Sequence, residues 1–345
     1  MTPDGQLALF GAWMWRLVNN VVILRKNWRA LSDPAYTNLL SRIHVGLAWN
    51  GFGFMSEKQA GVGINYTQSD FQTLLDRCLQ CLSKEEAATF EGAPIIVGTK
   101  VVRDTLNREL VKNFAHSKNV KMHFYHSKDR SQRQAASGVM QTRLWQVGSS
   151  VTNDSLGQLP LVTGMKAMVT ENIAIKHHVV NGTEGIIMEI KYSTDSEGRR
   201  YATCVYVHIP GSGIKSDNLP VDVVPIVPAT TTFTYKSSDG QSWSVTRSQL
   251  PLLPAYAYTD YKAQGRSLPM VIVDLAGCRG LQSLYVMISR ATLLKSLAVL
   301  RNFNIKKVNI RLGEDFRNEF DRLELLDTQS ARTWASRHDN QAMQY

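Results

Sequence analysis

Tyr258-Thr259-Asp260-Tyr261-Lys262-Ala263-Gln264-Gly265-Arg266-Ser267-Leu268 leads into the run Val271-Ile272-Val273-Asp274. Hydroxyl, amide, cation and glycine crowd into one short loop beside a buried strand. Such a loop offers backbone N–H groups at Gly265, and side-chain donors at Thr259, Lys262 and Gln264, to phosphate oxygens. On its own it reads equally well as an ordinary polar connection. Downstream, Leu281, Leu284, Tyr285 and Ile288 hold i, i+3, i+4, i+7 spacing, which predicts a helix over 280–291 whose last turn ends in Ser289-Arg290. Residues 270–275 and 297–300 are apolar runs of buried-strand type.

The first 160 residues alternate short β-branched runs with helical patterns, the signature of an α/β layer fold. Val21-Val22-Ile23-Leu24 reads as a buried strand. Asp33 can cap a helix with Pro34 at its first position, carrying Tyr36, Leu39, Leu40 and Ile43 on one face and closed by Gly46. A second helix is expected across Phe71, Leu74, Leu75, Cys78, Leu79 and Leu82, a strand over 94–97, and a helix over 100–114. From 161 to 250 the period turns to alternation. Tyr201, Thr203, Val205, Val207 and Ile209 share one face of an extended segment, and Ala202, Cys204, Tyr206 and His208 the other. Asn181-Gly182 and Asp239-Gly240 are two-residue hairpin signals, and residues 193–198 make a longer turn. Five or six short strands with polar turns predict a small β-barrel of about 90 residues set between two α/β portions. Residues 315–326 read as a charged amphipathic helix, with a loosely ordered end beyond Ser330.

The 345 residues allow about two domains at roughly 150 residues each. Lys and Arg exceed Asp and Glu by 39 − 29 = +10, which favours polyanionic partners, nucleic acid ahead of membrane. The 43% hydrophobic share is that of a globular chain. Apolar runs fall short of the ~20 residues a membrane helix needs. The apolar stretch from Leu7 to Leu24 is interrupted by Arg16, Asn19 and Asn20. Asp4, with no cation beside it, is the wrong flank for a secretion signal, so a soluble intracellular protein is expected. Four cysteines without zinc spacing argue against a disulfide scaffold or a structural metal site and fit a reducing compartment.

Several groups carry a plain reading beside a chemical one. Cys78-Leu79-Gln80-Cys81 has redox spacing but lies in an apolar helical register, which favours packing. His177-His178 read as polar barrel positions rather than ligands. Trp13, Trp15 and Trp28 could stack on bases, yet beside a buried strand they read as core. Residues 100–133 hold nine Lys and Arg against three acids, with His116, His123 and His126 among them. That run is either a solvated face or a surface, with Lys118 and Lys121 in it, that tracks the phosphates of single-stranded DNA.

The 258–268 loop does not stand alone, because Tyr285-Val286-Met287-Ile288-Ser289-Arg290-Ala291 follows it. Together the two resemble motifs V and VI of superfamily-one helicases, of the Pif-like and Helitron-associated branch. The family reads roughly Thr-x-His-Lys-Ser-Gln-Gly, then Tyr-Val-Ala-Leu-Ser-Arg. Tyr261 stands in the histidine place and Ala263 in the serine place, while Lys262, Gln264, Gly265 and Arg290 match. Further upstream, Gly11-Ala12-Trp13-Met14-Trp15 through Arg29 and Asp33 is similar to the family's segment after motif III running into motif IV, with Arg29 as the motif IV arginine. Pro94-Ile95-Ile96-Val97 through Asn107 is similar to its next strand and asparagine-bearing helix. Thr163 to Val169, with Asn172 and Asn181 to Gly185, is similar to the start of its inserted barrel. The resemblance spans about residues 8–328.

It implies a RecA-like second motor domain interrupted by a small β-barrel insertion: residues 1–160 and 251–330 in the motor domain, 161–250 in the insertion, and 331–345 a loose tail. It also implies ATP-driven 5′→3′ DNA unwinding with ATP and Mg²⁺. Arg29 and Arg290 would face the ATP cleft as catalytic arginines, Gln264, Gly265 and Arg290 would meet the nucleotide, and Thr259, Tyr261 and Lys262 the single-stranded DNA. No G-x-x-x-x-G-K-[ST] loop occurs in the sequence. The expected partner is therefore an upstream P-loop RecA-like domain, in cis or in trans. The chain alone is expected not to hydrolyse ATP. The family places such proteins in the nucleus or mitochondria. The alternative is a non-catalytic nucleic-acid-binding remnant of a transposon-derived helicase.

Overall fold

The structure, a computed structural model, describes residues 3–47, 69–131, 134–216, 218–237 and 240–342. The expected contributions of Arg133 and Asp239 lie outside the described residues.

The chain opens with helix α1 (Pro3–Arg16), where the sequence suggested only an apolar run. Val21 to Leu24 forms no strand. It runs extended and antiparallel along a C-terminal helix, with the Val21 N–H donating to Ser330 Oγ (3.0 Å) and the Ile23 N–H to Asp327 (2.9 Å). Alternate residues therefore point outward, and Val22 and Leu24 are 79% and 89% exposed. Trp13, Trp15 and Trp28 are likewise more than half exposed, not core, and the Trp15 indole N–H donates to Glu319 on that helix. α2 (Pro34–His44) forms as expected: Asp33 accepts from the Tyr36 N–H, and Tyr36, Leu39, Leu40 and Ile43 are buried. The single helix expected over 71–82 is instead α3 (Asp70–Leu75), a turn, and α4 (Lys84–Ala88). The break comes at Cys78, whose backbone bridges to Val299 and whose side chain is buried in the core. Cys78 and Cys81 thus sit in a turn, and the packing reading holds for Cys78.

β1 (Ile95–Val97) and α5 (Lys100–Ser117) follow as predicted. Then come β2 (His123–His126), β3 (Lys128–Ser131), β4 (Gln134–Ala135), α6 (Gly138–Trp145) and β5 (Gln158–Leu161). The alternating region supplies β6 (Lys166–Val169), β7 (Glu184–Thr194), β8 (Arg200–His208), β9 (Val223–Ile226), β10 (Ala229–Lys236) and β11 (Ser242–Gln249). β12 (Leu252–Pro254), β13 (Ala257–Thr259), α7 (Asp260–Ala263), β14 (Val271–Val273), α8 (Leu281–Ile288), β15 (Leu297–Val299) and α9 (Glu314–Ala342) complete the chain. α9 continues well past Ser330, where a loose end was expected, because no Gly or Pro interrupts the segment.

The strands form three sheets. A parallel sheet has the order β13-β1-β14-β15, and all of its residues are buried. Ile96, Val271, Val273, Leu297 and Val299 face α2 and α8, while Ile95, Val97, Ala257, Ile272 and Ala298 face the other way, onto the Val102, Leu106 and Leu110 stripe of α5. Cover on both faces explains the uninterrupted apolar runs. A second sheet, β12-β6-β7-β8-β2-β5 with β9 beside β8, is seven-stranded and curls until β12 and β5 lie against each other. It draws β2, β5 and β12 from outside residues 161–250, whereas β10 and β11 leave it to pair with β3 and β4 in a third sheet. The fold is thus α/β with a parallel sheet and a nearly closed, barrel-like second sheet.

Candidate nucleic-acid groove and nucleotide face

In parallel α/β sheets, ligands bind beyond the carboxyl ends of the strands. Here β1 ends into Gly98, Thr99 and α5, and β13 ends into Thr259 and α7. β13 is the sheet edge, and the Asn107 side chain on α5 completes it: its Oδ1 accepts from the Ala257 N–H (2.8 Å) and its amide donates to the Ala257 carbonyl (3.1 Å). Asn107 thereby fixes the strand two residues before Thr259.

The seven-stranded sheet docks on this end through two side chains. Lys262 donates to Asn181 Oδ1, and Arg266 pairs with Glu184 and donates to the Gly182 carbonyl. Asn181-Gly182 is not the primed hairpin its sequence suggested. The Thr183 N–H reaches back to the Val180 carbonyl, and only Gly182 has positive φ (+99°), which is a type II turn. That turn aims Asn181 at Lys262.

Between the two units lies a groove of about 500 Å³, walled by Gly98, Thr99, Lys100, Ser150, Asn153, Asp154, Thr170, Asn181, Thr259, Tyr261, Lys262 and Arg279. Its floor is a charge cluster. Asp154 pairs with Lys100 (2.8 Å) and with the fully buried Arg103 (2.9 Å), and Arg103 also binds Asp104 and Ser149. Burial works to raise the Asp154 carboxyl, but the two cations outweigh it and hold the pKa below the ordinary value. Lys262 is shifted down, mainly by burial, with Arg103, Lys100 and Arg266 adding repulsion against the attraction of Asp154.

Of the sequence-predicted DNA residues, the groove gathers Thr259, Tyr261 and Lys262. It does not gather Lys118 and Lys121. Lys118 caps the far end of α5, which at 1.5 Å per residue lies about 27 Å from Lys100. The basic run also divides, since Arg103 is buried in the groove floor while Arg108, Lys112, Lys118, Lys121, Lys128 and Arg130 are exposed.

A smaller cavity of about 260 Å³ adjoins, lined by Asp260, Tyr261, Gln264, Arg279, Gly280, Gln282, Ser283 and Val286. Gln264 is exposed there. Gly265 next to it takes φ +78°, the left-handed backbone that glycine adopts at least cost. Arg290 caps α8 from within: it donates to the carbonyls of Val286 (2.8 Å) and Arg266 (3.2 Å) and to Ser289 Oγ (2.7 Å). Arg29 reaches Ser267 Oγ (2.7 Å) and the Ser289 carbonyl (3.0 Å). The two arginines therefore meet beside the 258–268 loop, and burial together with the charge of Arg29 lowers the Arg290 pKa. Asn153, Asp154, Thr170, Asn181 and Arg279 escaped the sequence reading. Of these, only Asn181 carried a signal, its Asn-Gly turn.

No protein-family profile matches the chain. The rat ATP-dependent DNA helicase PIF1 is 31% identical over 142 residues, 41% of this chain and 19% of the relative. The human protein of the same name is 29% identical over the same shares. Among solved structures, Pif1 helicase from Candida albicans superimposes with TM-score 0.55 at 20% identity, covering 87% of this chain and 59% of that one. Pif1 helicase from Bacteroides, in complex with ADP-AlF3 and ssDNA, gives TM-score 0.54 at 18% identity, with 88% and 56% covered. The chain is thus similar to Pif1 helicases in sequence over part of its length and in fold over most of it. The sequence match spans about a fifth of the curated relatives, and the structural match little more than half of the solved chains.

Proposed function

We propose that the chain is the C-terminal motor half of an ATP-dependent 5′→3′ DNA helicase. It would hold single-stranded DNA in the groove and present Arg29 and Arg290 to ATP bound on a P-loop domain. In this reading the parallel sheet and its helices, drawn from residues 1–160 and 251–330, form the motor domain, and residues 161–250, joined in their sheets by β2 to β5 and β12, form the insertion that helps grip the strand. The observation that carries it is the convergence of Thr259, Tyr261, Lys262, Lys100 and Asn181 on one groove, with Gln264 on the same loop and Arg290 and Arg29 hydrogen-bonded to that loop at Arg266 and Ser267.

Hydrolysis loads charge onto the γ-phosphoryl and leaving oxygens, and arginines supplied from a facing domain stabilise that charge. Arg29 is the more open of the two. Arg290 would turn from its carbonyl partners toward the phosphate as the domains close. In this reading Mg²⁺ would be held by the P-loop domain and the nucleotide. The exposed apolar residues of α1, Leu7, Phe10 and Trp13 among them, are a surface that domain would cover. No described helix is long and apolar enough to cross a membrane. A nuclear or mitochondrial site of action belongs to the same proposal.

The test joins the chain to a P-loop domain and measures DNA-stimulated ATPase. Turnover at saturating DNA is expected to fall by roughly 10²-fold or more in Arg290→Ala, with DNA affinity nearly intact. Weakened DNA binding with turnover spared would remove Arg290 from the nucleotide side.

A further inference from the structure

We infer that Tyr261 and Arg279 form a stacking platform for one nucleobase at the junction of the groove and the smaller cavity; this rests on the reading of the groove as a single-strand track. Tyr261 is 67% exposed at the start of α7, although every other residue near it on β13 and α7 is buried or half-buried. The Arg279 guanidinium lies 5.0 Å from the ring centroid. It is held there by Asp260 (3.2 Å), a buried carboxylate that also accepts from Ser283 Oγ (2.6 Å). An exposed tyrosine would ordinarily sample several rotamers. A cation anchored through a buried acid steadies this ring and leaves the rest of its surface open to solvent.

The surroundings select the ligand. Tyr261 and Arg279 line both cavities, with Lys100 and Lys262 supplying cationic donors on one side and Gln264 an amide on the other. A flat π-surface with donors a short reach away matches a base with its phosphate. Every base has a π-face, so the platform tolerates any sequence. Because the platform is shared with the Gln264 cavity, a seated base also touches the wall of the nucleotide side.

The experiment measures anisotropy with a short deoxythymidine oligonucleotide and with an abasic oligonucleotide of equal length and charge. Wild type should bind the base-bearing strand roughly 5- to 100-fold more tightly than the abasic one. Tyr261→Ala should lose most of that ratio while keeping the abasic affinity, and Tyr261→Phe should keep it. Circular dichroism confirms folding, which substitution of so exposed a residue should spare. If wild type binds both strands and Tyr261→Ala has the wild-type ratio, the platform is wrong and the groove reading survives. If wild type binds neither strand, the groove reading falls and takes the platform with it.

Discussion

The guanidinium of Arg29 donates to the carbonyl of Ser289 at 3.0 Å, across 260 residues of sequence, and so comes to rest beside Arg290. Two cations share a half-buried corner with backbone carbonyls, serine hydroxyls and the phenols of Tyr36 and Tyr285. Among the described residues the hydrogen bonds of both guanidinia go to backbone carbonyls and serine hydroxyls. An anion seated beside the two guanidinia would relieve their like-charge repulsion.

The two arginines should differ in what their loss does to the fold. Arg290→Ala takes a donor from the Arg266 carbonyl and one of two from the Val286 carbonyl, which keeps Ser289 Oγ, a cost of about 1–3 kcal/mol. Arg29→Ala gives up more exposed hydrogen bonds and removes a repulsion, so its effect should stay within about 1 kcal/mol. Urea unfolding of the chain by itself separates the cases. An Arg290→Ala midpoint equal to wild type would show that the guanidinium does not brace the loop.

A second buried cation has a structural task alone. Arg247 and Asp129 face each other across β11 and β3 with both side chains fully buried, and Arg247 also donates to the Leu144 and Ser155 carbonyls. Breaking the pair with Arg247→Met strands a buried carboxylate and should cost about 3–5 kcal/mol. The double variant Arg247→Met/Asp129→Leu should recover a large part of that. A double variant no more stable than the single one would mean that the lost carbonyl contacts dominate.

The family resemblance already sets Arg29 and Arg290 on one cleft, but the Arg247–Asp129 pair is not open to sequence reading, and the reason is physical. Arg103 and Asp129 fall in a run that reads as a solvated or DNA-tracking face, and Arg247 carries no signal, because burial of a charge depends on a partner supplied by another element. Hydrophobic periodicity located β1, β14, β15, α2, α5 and α8, whose faces meet one continuous core. It failed at Val21 to Leu24, where an apolar run follows the side of α9 and half of it faces outward. It also ran through Cys78, where a backbone bridge to Val299 ends the helix. In the site, Thr259, Tyr261, Lys262 and Gln264 were legible as one loop, whereas Asn153, Asp154 and Thr170 join them only through the docking of the second sheet.

Lys262 gives the groove a pH signature. Burial first, then the neighbouring Arg103, Lys100 and Arg266, lower its pKa from the ordinary 10.5, with Asp154 opposing. DNA binding that uses the ammonium should weaken as pH rises through the lowered value, earlier than an ordinary lysine would allow. Stability should move the other way. Between the lowered pKa and 10.5 the unfolded chain binds the proton more readily, so stability contributed by this group rises with pH. Lys262→Arg keeps the charge and should flatten the binding profile, measured with an oligonucleotide of adenine and cytosine. An unchanged alkaline fall in Lys262→Arg would assign the titration to another group.

Lys118 and Lys121 form no ion pair among the described residues and stand exposed beyond the end of α5 opposite the groove. Their separation from Lys100, about 27 Å along the helix, makes strand length the variable that reveals them. An oligonucleotide of about 4 nucleotides, the short end of single-strand site sizes, can fill the groove without reaching them, whereas one of about 16 can reach both. Each phosphate neutralised on a single strand contributes about 0.7 to the slope of log K against log salt, so the pair accounts for up to about 1.4. Lys118→Gln/Lys121→Gln should therefore leave the short strand's affinity and salt slope at wild-type values and lower the slope for the long strand by that amount. Stability should not change, because both side chains are solvated. Equal losses for the two lengths would place these lysines in the groove's own field. No loss for the long strand would make the outer face of α5 a solvated surface with no part in binding.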